Sequence, residues 1–349
     1  MRFFSDNTAT ACPEILDAVV AANHGLEKAY GDDPWTTRLD RVLGEFFGTP
    51  VRAFAVATGT AANSLSLATL SPPYGAIFAH EEAHIACDEC GAPGFFTGGA
   101  QLALVPGEYG KLHPAGLTAV LDAHPVSVHS VQPAALSLTQ ATEYGTTYRA
   151  SEVAALSDIA HRRGMKVHMD GARFANSVAF LDCHPAEITW RAGVDVLSFG
   201  ATKNGALGAE AVVFFDPQAA GDFELRRKRS GHLLSKSRYV SAQLLAYVET
   251  GVWQRNARRT NTLARRIGAA AADALLYPVE ANEVFLRLGQ ARREALRAAG
   301  FGFYDWGPAA AGEARIVVSW DQPDADVAAL CDVLQTAQGS RLKARANPP

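Results

Sequence analysis

Short apolar runs alternate with longer amphipathic or Ala/Leu-rich stretches between about residues 50 and 215. The short runs predict strands at 51–57, 76–79, 102–105, 134–138, 166–169 and 194–199. Between most of them the pattern predicts helices at 61–68, 114–123 and 151–163, the last capped by Ser151 and stopped by Gly164. Alternation of apolar strands with helices predicts a parallel sheet covered on both faces.

The pattern changes after the apolar run at 211–215. A basic stretch at 224–238 leads into a long helical region with Arg-rich faces that reaches about Leu276. Beyond Pro278, short strands and helices alternate, with strands predicted at 284–288 and 315–320 and helices at 291–299 and 325–336. We therefore predict a large domain over 1–250, to whose site the N-terminal segment contributes, and a small C-terminal α+β domain over 251–349.

Composition is that of an ordinary globular protein. The 349 residues are 48% hydrophobic and 19% charged, which excludes wholesale disorder and fibrous architectures. A net charge of −4 gives no sign of a nucleic-acid or anionic-membrane partner, and no apolar run approaches the ~20 residues of a membrane span. Five cysteines are a sparse, odd set that we interpret as reduced thiols, so we expect a cytoplasmic enzyme.

Polar residues directly after the predicted strands are the first candidates for chemistry, because open α/β sheets bind ligands at the carboxyl ends of their strands. Lys203 follows the strand at 194–199 among small residues and could form a Schiff base, although taken alone it is more readily explained as a surface lysine. Asp170 could keep the ring nitrogen of a pyridinium cofactor protonated, or simply cap a turn. Gly59 and Thr60 open a helix and suit a phosphate, or form only a turn and cap.

A different pattern in the same region is typical of zinc hydrolases. His80-Glu81-Glu82-Ala83-His84 matches H-E-x-x-H, and Cys87 and Cys90 follow closely. On one helix the two histidines would share a face and a glutamate could activate a zinc-bound water. Because His80 directly follows an apolar run, we place it at a strand end. Zinc hydrolysis is therefore a distant alternative, and we expect no metal in the site.

The candidate residues occur in the order of a known family. Gly59-Thr60, His84, Asp170-Gly171-Ala172-Arg173 and Thr202-Lys203 resemble the motifs of the low-specificity L-threonine aldolases. The resemblance extends from about residue 3 to about residue 335. It implies a pyridoxal-phosphate (PLP) enzyme of fold type I, in the aspartate-aminotransferase-like superfamily. That fold has a large domain with a mostly parallel seven-stranded sheet flanked by helices, plus the small α+β domain.

The resemblance also implies roles for individual residues. Lys203 would hold PLP covalently and His84 would stack on its ring. The other cofactor contacts would come from Gly59, Thr60, Asp170, Arg173, Thr202 and Lys236. The substrate would be bound by Ser5, Tyr30, Arg173 and Arg315. Tyr30 and Lys236 would reach the site across a subunit interface of a homo-oligomer, which the family implies to be a dimer of dimers.

One position departs from the family pattern. Many members carry a histidine near the β-hydroxyl group, whereas this chain has Gln140-Ala141-Thr142-Glu143 there. Glu143, His84 or a bound water is thus left to take the β-hydroxyl proton. The implied reaction, that of an aldehyde-lyase, is reversible cleavage of L-threonine, L-allo-threonine and other β-hydroxy-α-amino acids to glycine and an aldehyde. The alternatives are a related aldolase acting on aryl substrates such as phenylserine, and a β-eliminating lyase.

Overall fold

The computed structural model describes residues 1–346, so the last three positions of the predicted range 251–349 lie outside the described residues. Its α-helices are α1 (Pro13–Ala21), α2 (Leu39–Phe47), α3 (Gly59–Leu70), α4 (His84–Cys87), α5 (Ala92–Thr97), α6 (Pro114–Ala123), α7 (Ala150–Arg162), α8 (Phe174–Leu181), α9 (Phe223–Arg229), α10 (Arg238–Glu249), α11 (Val252–Ala270), α12 (Gln290–Ala298) and α13 (Asp324–Ala346). Its strands are β1 (Arg52–Val56), β2 (Gly75–His80), β3 (Gln101–Val105), β4 (Gln132–Thr139), β5 (Lys166–Gly171), β6 (Val196–Gly200), β7 (Glu210–Phe214), β8 (Glu283–Arg287), β9 (Tyr304–Trp306) and β10 (Glu313–Val317).

Seven strands form one sheet in the order β1-β7-β6-β5-β4-β2-β3. Neighbouring strands from β6 to β3 run parallel, whereas β7 is antiparallel to both β1 and β6. The predicted α/β class with a mostly parallel seven-stranded sheet is therefore confirmed. The single reversed strand matters for the site, because it brings its first residue to the edge where its neighbours end.

Helices cover both faces of this sheet. Phe54 and Val56 of β1 pack in one apolar cluster with Leu65 of α3, while Ala53 and Ala55 face the cluster on the other side. The alternation follows from the two-residue period of a strand, and it explains why β1 is apolar on both sides from Ala53 to Val56. Both faces of the sheet are thus covered, so a ligand can reach the sheet at the edge where the strands end.

The C-terminal part contains a second, three-stranded antiparallel sheet in the order β8-β10-β9. Its core includes Leu263 and Ile267 from α11, and the N-terminal segment joins it through Phe3. The Phe3 N–H donates to Gly302 O at 2.7 Å, and Phe3 O accepts from the Val317 N–H at 3.0 Å. The start of the chain is therefore hydrogen-bonded to the C-terminal part that holds the small sheet. The domain boundary predicted at 250/251 stays a prediction.

The structure differs from the predicted elements at their ends, and it contains helices that were not predicted, including α1, α2 and α8. The long helical region predicted to about Leu276 is two helices, α10 and α11, and ends at Ala270. The cap assigned to Ser151 is wrong, because α7 begins at Ala150 and its N-cap is Arg149, whose N–H donates to Glu152 Oε2 at 2.7 Å. Gly164 follows α7 with φ +72°, the left-handed conformation typical of a helix stop, as predicted. Strand β9 was not predicted. No helix in residues 1–346 is both long and apolar enough to span a bilayer.

Candidate active site

A cavity of about 290 Å³ opens at the edge where β1, β4, β5 and β6 end. Eight residues predicted for the site line it together: Gly59, Thr60, His84, Glu143, Asp170, Arg173, Thr202 and Lys203. Four other predicted residues are not among its lining residues: Ser5, Tyr30, Lys236 and Arg315. Residues that the sequence left unassigned also line it, including Asn7, Asn63 and Glu210.

Asp170 lies near the end of β5 and is almost fully buried. Its Oδ2 accepts a hydrogen bond from Asn63 Nδ2 at 2.7 Å, and its Oδ1 accepts from the Ala172 N–H at 3.0 Å. N–H donors of this kind stabilise the charged form of a carboxylate. The geometry therefore presents an oriented anion to the cavity, suited to a positively charged ring nitrogen.

Lys203 is carried by a 3₁₀ turn, Thr202–Asn204, that directly follows β6. Asn204 fixes this turn, since its Nδ2 donates to Tyr247 Oη at 2.7 Å and to Trp253 O at 2.8 Å. The Lys203 side chain is half-buried and lines the cavity. The result is an amine on a rigid support in the cavity that Asp170 also lines.

The N-terminus of α3 supplies a site for an anion. Thr58 is the N-cap, and its Oγ1 accepts from the Ala61 N–H at 3.2 Å. Thr58, Gly59 and Thr60 all line the cavity. Because the first N–H groups of a helix lack intrahelical partners and carry a partial positive charge, this end suits a phosphate.

These groups fit the cofactor that the sequence implies. A buried carboxylate can hold a pyridine nitrogen protonated, an amine can condense with an aldehyde, and a helix start with hydroxyl groups can bind a phosphate. Asp170, Lys203 and residues 58–60 provide these three functions around one cavity. The chemistry of the donor set is thus that required by pyridoxal phosphate.

His84 is held by a carboxylate that sequence reasoning missed. Its Nδ1 lies 2.9 Å from Oε1 of Glu89, and the hydrogen bond to Glu89 raises the His84 pKa above its ordinary value. Asn63 Nδ2 also donates to this Glu89 oxygen, at 2.8 Å, and so links Glu89 to Asp170. No local spacing pattern marks Glu89, because its partners Asn63 and His84 come from the separate helices α3 and α4.

Glu143 also contacts His84, at its backbone. Oε1 accepts a hydrogen bond from the His84 N–H at 2.8 Å, while Oε2 is buried and has no hydrogen-bond partner among the described residues. Burial, followed by the negative charge of Asp170, raises the pKa of Glu143 to about 7. The cavity therefore holds a carboxyl group that can exchange a proton near neutral pH.

Arg173 lines the cavity and forms a buried ion pair with Asp6. Its Nε and Nη2 donate to the two carboxylate oxygens of Asp6 at 2.7 and 3.0 Å, and its Nη1 lies 3.2 Å from Glu283 Oε2. Burial opposes ionisation of Asp6, but the charge of Arg173 outweighs it and lowers the pKa of Asp6 to about 2. The guanidinium is thus fixed in place and stays charged.

Arg315 is linked to Arg173 through Glu283. Its Nε and Nη2 donate to Glu283 Oε1 at 3.1 and 2.8 Å, so one carboxylate bridges the two guanidinium groups. Ser5 lies next to Asp6 in the chain, and its Oγ accepts from the N–H of Asn7, a residue that lines the cavity. Contact of Ser5 or Arg315 with a substrate stays a prediction.

Tyr30 and Lys236 are near each other and outside the cavity. Tyr30 is 51% exposed, and its N–H donates to the carbonyl of Ser235, the residue before Lys236. Lys228 Nζ lies 4.4 Å from the centre of the Tyr30 ring. Tyr30 and Lys236 therefore lie near each other on the surface of one chain. Their role in a neighbouring subunit's site stays a prediction.

The helix required by the zinc interpretation is not formed. His80 is the last residue of β2, its Nε2 lies 3.2 Å from Gly107 O, and its Nδ1 accepts from the Glu82 N–H at 3.1 Å. His84 begins the separate helix α4, so the two histidines do not share a helical face. Within residues 1–346, the His/Cys/Asp/Glu group close enough to share an ion is His84, Glu89 and Asp170. Asn63 already connects the two carboxylates of that group, and the expectation of no metal stays a prediction.

Comparison with known proteins gives matches over nearly the whole chain. The sequence profile of the beta-eliminating lyase family matches residues 2–291. A low specificity L-threonine aldolase from Pseudomonas sp. (strain NCIMB 10558) is 44% identical over 330 residues, covering 93% of this chain and 94% of that protein. One from Pseudomonas aeruginosa is 45% identical over 324 residues, covering 92% and 93%. The structure of a Leishmania major threonine aldolase superposes with a TM-score of 0.90 at 24% identity, covering 96% and 99%, which shows the shared fold.

Proposed function

The chain belongs to the beta-eliminating lyase family, and on this premise we propose that it is a PLP-dependent aldehyde-lyase. It cleaves L-threonine, L-allo-threonine and other β-hydroxy-α-amino acids reversibly to glycine and an aldehyde. Two Pseudomonas relatives named low specificity L-threonine aldolase, each covered over more than nine-tenths of its length, support the choice of substrate class.

The observation that carries the proposal is the convergence of Lys203, Asp170 and the start of α3 around one cavity. The three come from chain segments more than 30 residues apart and offer an amine, an anion and a phosphate site. Bound PLP supplies an electron sink for the pair left on Cα when the Cα–Cβ bond breaks. Lys203 binds the cofactor covalently, and Asp170 keeps a proton on its ring nitrogen.

Glu143 is the base in this proposal. Its buried Oε2 has no hydrogen-bond partner among the described residues and takes the proton of the substrate's β-hydroxyl group. The His84 N–H holds Oε1 at 2.8 Å and thereby orients the carboxylate, while the His84 ring covers the cofactor. A water beside Glu143 or His84 could carry the same proton.

The substrate carboxylate is assigned to the two arginines. Arg173 lines the cavity, and Arg315 lies behind it on the shared Glu283. Guanidinium groups bind a carboxylate through two parallel hydrogen bonds, which fixes the amino acid relative to Lys203. Ser5 and a neighbouring subunit's Tyr30 complete this part of the site. The assembly is proposed as a dimer of dimers in which residues 1–250 form the cofactor-binding domain.

The first test is the absorption spectrum of the purified protein before and after borohydride reduction, followed by peptide mapping. We expect a yellow band, and we expect reduction to fix the cofactor on Lys203. Lys203→Ala should lose both the band and turnover. A protein that stays colourless with added PLP, or a yellow and active Lys203→Ala variant, would overturn the proposal.

Product analysis separates the aldolase from its two alternatives. With L-threonine we expect equimolar glycine and acetaldehyde, and with phenylserine a lower kcat/KM. A clear preference for phenylserine would identify the aryl-specific aldolase. Release of ammonia and a keto acid in place of glycine would identify a β-eliminating lyase and refute the aldolase.

A further inference from the structure

Two carboxylates hold His84, one at its main chain and one at its ring. The His84 N–H donates to Glu143 Oε1 at 2.8 Å, and the ring Nδ1 lies 2.9 Å from Glu89 Oε1. Glu89 is only 4% exposed, whereas the His84 side chain is 38% exposed and lines the cavity. The imidazole ring therefore reaches the cavity with one nitrogen already engaged by a buried group.

Asn63 decides which atom carries the proton in the contact between Glu89 and His84. Its Nδ2 donates to Glu89 Oε1 at 2.8 Å and to Asp170 Oδ2 at 2.7 Å. A flipped amide would place its carbonyl oxygen against both carboxylates, so the two acceptors fix its orientation. Glu89 Oε1 is thus an acceptor, and any proton on this carboxyl group belongs on Oε2, which is buried and has no hydrogen-bond partner among the described residues. The hydrogen of the ring contact must then come from Nδ1.

We propose that Glu89 is a positioning residue that keeps the proton of the neutral His84 ring on Nδ1 and so leaves Nε2 to accept a hydrogen bond or a proton in the cavity. A neutral imidazole has one donor and one acceptor nitrogen, and the bond made by one decides the role of the other. In the opposite tautomer, lone pairs of Nδ1 and Glu89 Oε1 would face each other at 2.9 Å. The inference goes beyond the proposed function, in which Glu143 takes the β-hydroxyl proton.

The same contact decides which nitrogen loses a proton when the His84 ring changes from charged to neutral. The hydrogen bond to Glu89, together with the negative charges of Asp170 and Glu89, raises the pKa of His84, whereas burial and the charge of Lys203 lower it. Because Glu89 holds the hydrogen on Nδ1, the proton that leaves is the one on Nε2.

The test is a pH titration of the histidine rings in the full-length, cofactor-free chain, labelled with nitrogen-15 and followed by NMR through long-range couplings between ring hydrogens and ring nitrogens. The His84 signals are those that disappear in His84→Asn. Between about pH 5 and about pH 10, we expect His84 Nε2 to lose its proton while Nδ1 stays protonated.

His80 provides an internal reference with the opposite tautomer. Its Nε2 lies 3.2 Å from Gly107 O, which can only accept, and its Nδ1 accepts from the Glu82 N–H at 3.1 Å. Neutral His80 should therefore carry its proton on Nε2 in the same spectrum. Unchanged His80 signals in a variant also show that the neighbouring end of β2 is still folded.

Two substitutions at Glu89 separate its shape from its charge. Glu89→Gln keeps an oxygen for Asn63 and His84 and should keep the proton on Nδ1, while the lost charge moves the titration of the ring to lower pH. Glu89→Leu removes the acceptor, so a neutral ring with its proton on Nε2 should appear. Glu143→Gln is the matched control, since it changes only the partner of the His84 main chain and should keep the wild-type tautomer.

Kinetics of the cofactor-loaded enzyme test whether turnover uses the fixed ring, and this measurement rests on the proposed function. Glu89→Leu should lower kcat for L-threonine by about tenfold to a hundredfold, because a group out of position by even a small distance loses that much. Glu89→Gln should recover most of the rate. Equal kcat for wild type and Glu89→Leu would overturn the positioning role.

A wild-type His84 ring that carries its neutral proton on Nε2 would refute the inference without any variant. So would a folded Glu89→Leu chain that keeps this proton on Nδ1. Neither result affects the proposed function, which is tested by fixation of the cofactor on Lys203 by borohydride. Absence of that adduct would overturn the proposed function and leave the titration of the cofactor-free chain as it is.

Discussion

At the scale of single residues, the neighbours of a buried carboxyl group decide what it can do. Burial acts on the carboxyl groups of both Asp6 and Glu143, yet the pKa of Asp6 is lowered to about 2 and that of Glu143 is raised to about 7. Asp6 has a guanidinium partner in Arg173, whereas one oxygen of Glu143 has no hydrogen-bond partner among the described residues. The first is fixed as an anion and the second is free to exchange protons.

Replacement of Glu143 by glutamine tests its role as the base. We expect kcat for L-threonine cleavage to fall by about 10²–10⁴-fold, because a positioned base contributes that much. The wild-type rate should rise with pH through about 7, as Glu143 loses its proton, and the variant should lack this rise. The measurement is a pH profile of kcat and kcat/KM for both proteins.

Stability measurements provide the control for this substitution. A carboxyl group whose pKa is raised on folding holds its proton more tightly in the folded chain. The free energy of unfolding therefore falls as pH rises from the pKa of this group in the unfolded chain towards about 7. At pH 8 the melting temperature of Glu143→Gln should therefore be no lower than that of wild type. Unchanged cleavage by a folded variant would leave His84 or a bound water as the base.

At the scale of elements, the site depends on short segments at the strand ends. Lys203 lies in a three-residue turn, and Gly205 directly follows it with φ +116°. A Cβ at Gly205 would lie 2.8 Å from Asn256 Nδ2 and 3.1 Å from Cys12 Sγ. Asn256 Nδ2 also donates to Asn204 O at 2.9 Å, so crowding at Gly205 would displace the turn itself.

Gly205→Ala should consequently damage both stability and cofactor attachment. We expect the free energy of unfolding to fall by about 1–3 kcal/mol, since alanine is strained at this φ and the space is occupied. We also expect less cofactor to be fixed on Lys203 by borohydride. Gly208→Ala is the matched control in the same loop, because a Cβ there meets no atom within 4 Å and φ is not positive. Equal behaviour of the two variants would contradict a special role for Gly205.

At the scale of the whole molecule, the site joins parts of the chain that are distant in sequence. Asn282 Nδ2 donates to Asp6 Oδ2 at 2.9 Å, and Glu283 bridges Arg173 and Arg315. The N-terminal segment, the large sheet and the small sheet are thereby linked by charged and polar groups under the cavity. Tyr30 and Lys236 lie on the surface instead, where a second copy of the chain could use them.

Mixed oligomers test whether Lys236 acts on a neighbouring subunit. Lys203→Ala and Lys236→Ala variants, each of low activity, are unfolded together and refolded as mixtures. If Lys236 serves the partner's site, mixed assemblies contain one complete site and should regain activity that neither variant has alone. A Lys203→Ala and Asp170→Asn mixture is the control and should stay inactive, since both changes affect the same site. No recovery in the first mixture would place Lys236 outside the partner's site.

Sequence alone determined the fold class, most elements and the principal chemistry of the site. Apolar runs of strand length separated by helical stretches predict a covered parallel sheet, because both faces of such strands must be buried. The residues after those strands then meet at one edge, so the order of strands and polar residues along the chain was enough to group Lys203, Asp170 and residues 58–60. The family resemblance added Glu143, which stands where many members carry a histidine.

Tertiary structure decided what depends on strand direction and on contacts between distant segments. Taking the residues that follow each strand as site candidates could not identify Glu210, because it begins a strand that runs antiparallel to its neighbours. Nor could it find the Asn63 link between Glu89 and Asp170, or the bridge that Glu283 makes between two arginines. These contacts have no fixed spacing along the chain. They are set by how the sheets and helices pack, and only the folded molecule brings their partners within hydrogen-bonding distance.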